Sequence, residues 1–175
     1  MIKKSILSAK FFLTVVIVSL SLGSCLKVDK CPYLENNNVA TANEIANIQT
    51  FLTNNNITNA IQHSSGVFYV VNNAGTGATT SSLCSSIYIN YSIYNISSST
   101  AFDSNNTTSG VAFTLGNLID GVKKIVPLIK AGGSVTIFIP PSLGYGSQEL
   151  KDGNGNVILP ADSYLKFEMN LLTVQ

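Results

Sequence analysis

The chain has 175 residues, 45% of them hydrophobic and 11% charged, with a formal net charge of +1 and no arginine. That is room for one domain with a real core plus an appendage. Without Lys3, Lys4 and Lys10, which fall in a leader expected to be removed, seven lysines face nine acidic residues for a net of −2; phosphate neutralisation needs clustered Lys and Arg, so nucleic-acid binding is disfavoured.

Residues 1–24 read as a secretory leader, with a basic start, an apolar run from Phe11 to Leu22 and small residues ahead of Cys25. The end of that leader, Leu22-Gly23-Ser24-Cys25, resembles a bacterial lipobox, which implies cleavage before Cys25 and acylation of that cysteine. Several acyl chains, at about 0.8 kcal/mol per buried methylene, make a stable membrane anchor. A transmembrane anchor or a leader cut elsewhere is the alternative. Residues 25–42 carry little apolar content and include Asn36-Asn37-Asn38, so they are expected to form a flexible tether. Residues 43–65 are a short helical extension. There Ile45, Ile48, Phe51 and Leu52 recur at helical spacing, which predicts an amphipathic helix from Asn43 to Thr53 capped at Asn43.

Residues 66–175 alternate as strands. Gly66 to Val71 is β-branched and aromatic; Ile87, Ile89, Tyr91 and Ile93 alternate with polar residues, which buries one face and turns Tyr91 inward. Strands at Phe102 and at Val111 to Leu115 flank a polar loop, and Leu118 to Val126 supplies one helix that should stop or kink at Pro127. The strand Val135-Ile137-Ile139 runs into Pro140-Pro141, which cannot donate to a ladder, and Gly144 and Gly146 let the backbone turn around Tyr145. The last strand, Tyr164 to Val174, puts Leu165, Phe167, Met169 and Leu171 on one face. Strands, one helix, then strands predict an antiparallel α+β domain.

Five stretches come in a telling order: Ala101-Phe102-Asp103-Ser104, Val111 to Gly116, Ile137 to Pro141 followed by Tyr145-Gly146, Val157 to Pro160, and Leu165 to Glu168. In this order and spacing they resemble the FKBP-type peptidyl-prolyl cis-trans isomerases. The resemblance implies a curved antiparallel sheet wrapped around one short α-helix. It also implies an isomerase without cofactor or metal acting on proline-containing polypeptides, which the lipobox-like leader makes unfolded or exported polypeptides in the bacterial cell envelope. Carried over by position, Tyr91, Phe102, Leu118, Ile119, Ile158, Leu159 and Phe167 would wall the pocket. Tyr145 would offer its hydroxyl and Ile119 its amide to substrate carbonyls, with Asp103 shaping the polarity. Read on its own, Asp103 is a loop residue making a turn with Asn105.

Three positions depart from the family pattern. Val122 stands where a tryptophan floor is usual, Val111 where an aromatic is common, and Tyr91-Ser92-Ile93 where Tyr-Thr-Gly is usual. The two valines are retained as substrate-binding positions, and they imply a shallower cup, reduced activity and weak affinity for the macrolides that fit the family pocket. The alternative on the same fold is a non-catalytic, client-binding or chaperone-like lipoprotein. The longer loop Ser147 to Asn156 would form a rim, with Asp152 in a plain turn. His63 has no ligand partners at a metal spacing, and Cys31 and Cys84 are either one disulfide or two thiols. The sequence leaves the oligomeric state open.

Overall fold

The structure, a computed structural model, describes residues 30–175; the expected leader at 1–24 and the lipidation of Cys25 lie outside them. The described residues form nine strands, the longest of them, β3 and β9, built on apolar–polar alternation: β1 (Ile61–Gln62), β2 (Phe68–Asn73), β3 (Ser86–Asn95), β4 (Asp103–Asn105), β5 (Val111–Thr114), β6 (Gly133–Ile139), β7 (Leu150–Lys151), β8 (Val157–Leu159) and β9 (Leu165–Val174). Seven form one antiparallel sheet in the order β1-β2-β6-β9-β3-β4, with β5 also on β3, while β7 and β8 make a separate ribbon. The long β3 pairs with β9 along one edge and holds β5 and then β4 along the other. Period two therefore brings Ile89, Tyr91 and Ile93 to the face shared by Phe167, Met169 and Leu171 and, one strand further, by Val135, Ile137 and Ile139.

That face is closed by helix α2 (Asp120–Ile125), whose Val122 and Ile125 are fully buried. Gly121 makes the close seating possible, since a Cβ there would collide with the Ile139 side chain. The α-helix is shorter than the expected Leu118 to Val126. Leu115–Asn117 and Val126–Leu128 are 3-10 turns instead, because Pro127 cannot continue the ladder and Ile119 stays extended at the cap.

On the opposite face, α1 (Ala42–Asn54) packs Ile48 and Leu52 against Phe68, Val70 and Phe138, with the Phe51 and Phe138 rings 6.0 Å apart. Its cap is Thr41 rather than the expected Asn43. The Thr-x-x-Glu spacing satisfies two orphan amides reciprocally: the Thr41 hydroxyl accepts from the Glu44 amide (3.3 Å), and the Glu44 carboxylate accepts from the Thr41 amide (2.7 Å). The expected tether also differs from 31 onward. Cys31 is bridged to Cys84, Tyr33 packs on the core, and Ala40 is buried with its amide on the Ser65 carbonyl (2.8 Å). A polar stretch reads as solvated chain only while its polar groups lack protein partners, and the Ala40 amide and the Asn36 and Asn38 side chains have them.

Candidate active site

A cavity of 350 Å³ opens between β3, β4, β5, β9 and the start of α2, lined by Ile89, Tyr91, Ile93, Asp103, Phe113, Asn117, Leu118, Ile119, Val122, Tyr145 and Phe167. Its back is aromatic. The Tyr91 ring stacks on Phe167 (5.7 Å between centroids, 22° between planes) and meets Phe113 edge-on (6.0 Å, 64°). Val122 is the floor, fully buried. The 320 Å³ cavity beside Glu35, His63 and Lys123 has no phenyl or phenol wall.

Each polar group at the rim is set by its element. Asp103 pairs with Ile93 across β3 and β4, two residues along from Tyr91, and the Tyr91 hydroxyl donates to its Oδ2 (3.1 Å). Burial above all, then that hydrogen bond, the Asp103 charge and the neighbouring Tyr145, push the Tyr91 phenol up to about 12. Tyr145 follows the turn Pro141–Leu143, in which the Leu143 amide donates to the Pro140 carbonyl (3.0 Å) and the Gly146 amide returns to Pro141 (2.9 Å). Its phenol is raised by burial and by the Asp103 charge, so both phenols are donors at neutral pH. Ile119 caps α2 with extended backbone (φ −61°, ψ 151°), so its amide is outside the helix ladder.

Of the residues singled out from the sequence, Tyr91, Asp103, Leu118, Ile119, Val122, Tyr145 and Phe167 meet at this one cavity. Four do not line it. Leu159 is fully buried in the core, Phe102 and Val111 pack half-buried against it, and Ile158 is 40% exposed. Strand alternation explains the β8 pair, because turning Leu159 inward turns Ile158 out to solvent. Val111 sits across from Ile89 on β5 but has only a valine's reach. Ile89 and Ile93, which the period of two around Tyr91 marks, and Phe113, two residues from Val111 on the same face, line the cavity in addition to the expected residues. Asn117 had no signal. Asp152 accepts the Asn154 and Asn156 amides (2.9 and 2.8 Å) within its own turn, and no cluster of three His, Cys, Asp or Glu among the described residues is placed to hold a metal.

A curved antiparallel sheet closed by one short helix, with an aromatic cup at their junction, defines an FKBP-like domain. The sequence model described as FKBP-type peptidyl-prolyl cis-trans isomerase matches residues 77–172, and the chain belongs to that family. The FKBP-type peptidyl-prolyl cis-trans isomerase FkpA of Buchnera aphidicola subsp. Schizaphis graminum is 30% identical over 113 residues, covering 64% of this chain and 42% of that protein. A probable FKBP-type isomerase of Haemophilus influenzae is 31% identical over 111 residues, 63% of this chain and 43% of that one. The chain thus spans less than half the length of these relatives. The crystal structure of FkpA from Escherichia coli superposes with a TM-score of 0.62 at 28% identity, over 76% of this chain and 59% of that one. A peptidyl-prolyl isomerase structure from Pseudomonas syringae shares the fold, with a TM-score of 0.60 at 18% identity over 80% and 99% of the two chains.

Proposed function

We propose that the chain is a peptidyl-prolyl cis-trans isomerase of the bacterial cell envelope, held at a membrane by acyl chains on Cys25 and acting on proline-containing exported polypeptides. The observation that carries the reading is the aromatic-backed cavity with Tyr145 and Ile119 in its wall, on a family member's fold. Among the described residues no helix is long and apolar enough to cross a membrane, and the anchor rests on the leader and the lipobox-like residues alone.

Rotating an X-Pro bond meets a barrier of about 18–20 kcal/mol because amide resonance is lost at the halfway point. The reaction needs neither nucleophile nor proton carrier. An apolar cup of Tyr91, Phe113, Phe167 and Val122 takes the prolyl ring and removes water from the planar, more polar amide. The Tyr145 hydroxyl and the Ile119 amide then hold flanking carbonyls in the twisted geometry, which binds the transition state better than either planar isomer. Lowering the barrier by about 7 kcal/mol gives about five decades of rate.

The test is the cis-to-trans rate of a short proline peptide with the full chain in mild detergent. Tyr145→Phe removes one carbonyl donor, and a net hydrogen bond of about 1.4 kcal/mol corresponds to about a tenfold loss in kcat/KM. Asp103→Ala is expected to reduce it as well. A folded wild-type chain with no rate above the uncatalysed one would overturn the reading. The valine floor would then favour the client-binding module, whose signature is suppressed aggregation without isomerisation.

A further inference from the structure

We infer that residues 31–38 act as a strap that positions the isomerase site, with Tyr33, Asn36 and Asn38 as positioning residues for the Leu118–Ile119 wall. The inference rests on the reading of the cavity as an isomerase site.

Leu118 and Ile119 lie between a three-residue 3-10 turn and the six-residue α2. Segments that short have no helical stability of their own, since isolated helices below about 12 residues are marginal. Their position must come from what grips them. On one side, the Leu115 amide donates to the Ser85 carbonyl (3.0 Å) and the Gly116 amide to the Leu83 carbonyl (2.7 Å). On the other side is the strap. The Tyr33 ring lies so close to Gly116 that a Cβ there would collide with it. The Tyr33 hydroxyl donates to Asn117 Oδ1 (2.7 Å), and Asn36 and Asn38 donate their side-chain amides to Asp120 Oδ2 (2.6 and 2.9 Å).

Asn117 immediately precedes Leu118, and Asp120 immediately follows Ile119, so the strap fastens the wall at both ends. Lys124 adds a bond from α2 back to the Asn36 carbonyl, and Asn36 Oδ1 accepts from the Asn38 amide (3.2 Å). The start of the strap is pinned by the Cys31–Cys84 disulfide. Cys84 lies between Leu83 and Ser85, whose carbonyls hold Leu115 and Gly116. Disulfide, strap, wall and the Leu83–Ser85 turn therefore form a closed ring around the wall. Tyr33, Asn36 and Asn38 do not themselves line the cavity, so their effect passes through Asn117 and Asp120.

The test compares wild type, Tyr33→Phe, the Asn36→Ala/Asn38→Ala pair and Asp103→Ala in the full chain in mild detergent. The readouts are kcat, KM and Tm on a short proline peptide, with the nitrogen-15 amide resonance of Ile119. Tyr33→Phe keeps the ring on Gly116 and loses only the hydroxyl bond, so it is expected to fold. A misplacement of 1 Å can cost about 100-fold, and the strap variants should lose about half of that span on the free-energy scale, roughly tenfold in kcat/KM. The loss should fall in kcat, with KM changing less than about twofold, because the donor acts on the twisted amide. The Ile119 resonance should shift in both strap variants, with Val135, in the sheet, as the unshifted control. Folded strap variants with wild-type kcat, or a loss confined to KM or tracking the unfolded fraction, would overturn the inference alone. A folded wild type that does not catalyse overturns the functional reading, and this inference with it.

Discussion

At the scale of single residues the cavity is an argument about two phenols and one valine. Burial and the Asp103 carboxylate hold the Tyr91 proton on until about 12 and raise Tyr145 as well. The unfolded phenols ionise near 10. The sign is that of a group whose folded pKa is raised: the stabilisation is complete below about pH 10 and is lost as pH climbs toward 12. Isomerase activity should therefore stay flat on the alkaline side up to about pH 10, and an absorbance titration of tyrosinate should lose its latest-ionising step in Tyr91→Phe. Val122 supplies the other prediction. Replacing it with tryptophan adds aromatic area under a prolyl ring, about 1–2 kcal/mol by contact area, so Val122→Trp should lower KM about tenfold, read from initial rates at varied peptide concentration. A higher KM would mean that the larger ring fills the cup rather than floors it. Tyr91, Val122 and Phe167 were legible because strand period and motif spacing mark them directly. Asn117 was not, since its place at the rim comes from a 3-10 turn that no local periodicity announces.

At the scale of elements, α1 is joined to the segment that carries Tyr145. The Glu44 carboxylate accepts from the Ser142 amide (2.8 Å) and hydroxyl (3.0 Å) while also closing the cap with Thr41. Burial works to raise its pKa, but the bonds from Thr41 and Ser142 together leave it below the usual carboxylate value. Asp120, on the strap side, is lowered in the same way, burial being outweighed by Lys123, Asn38 and Asn36. Depressed pKa values contribute stability that is present above the unfolded value, near 4, and is lost as pH falls through the folded one. Glu44→Ala should cost about 1 kcal/mol at pH 7, the net worth of a typical hydrogen bond, and the gap from wild type should narrow at pH 3; urea melts at both values measure it. The alternation in β3, β6 and β9 made the sheet readable, because one buried face forces a period of two. The packing of residues 31–41 was unreadable for the opposite reason: Asn36 and Asn38 look solvated until Asp120, more than eighty residues away, is folded beside them.

At the scale of the whole molecule, the Cys31–Cys84 disulfide is the long-range covalent constraint among the described residues. It joins residues 53 apart in sequence and so ties the N-terminal strap to the sheet before β3 begins. A cross-link acts largely by removing conformations from the unfolded chain, and a loop of this size is worth about 2–4 kcal/mol. For a domain of this length that corresponds to a Tm lower by on the order of 10 °C in Cys31→Ser/Cys84→Ser. A dithiol reductant should produce the same drop in wild type and none in the double variant, which separates loss of the bond from any effect of the serines. Hydrogen exchange then tells where the loosening goes. If the strap is held chiefly by the bond, the amides of residues 31–41 and of Leu115 and Gly116 should lose protection before those of β6 and β9. Equal protection across all of them, with the Tm still lowered, would mean that the Tyr33 packing and the Asp120 bonds hold the strap without covalent help. The bridge would then serve only the reduced-entropy unfolded state, and the pocket wall would be insensitive to thiol chemistry.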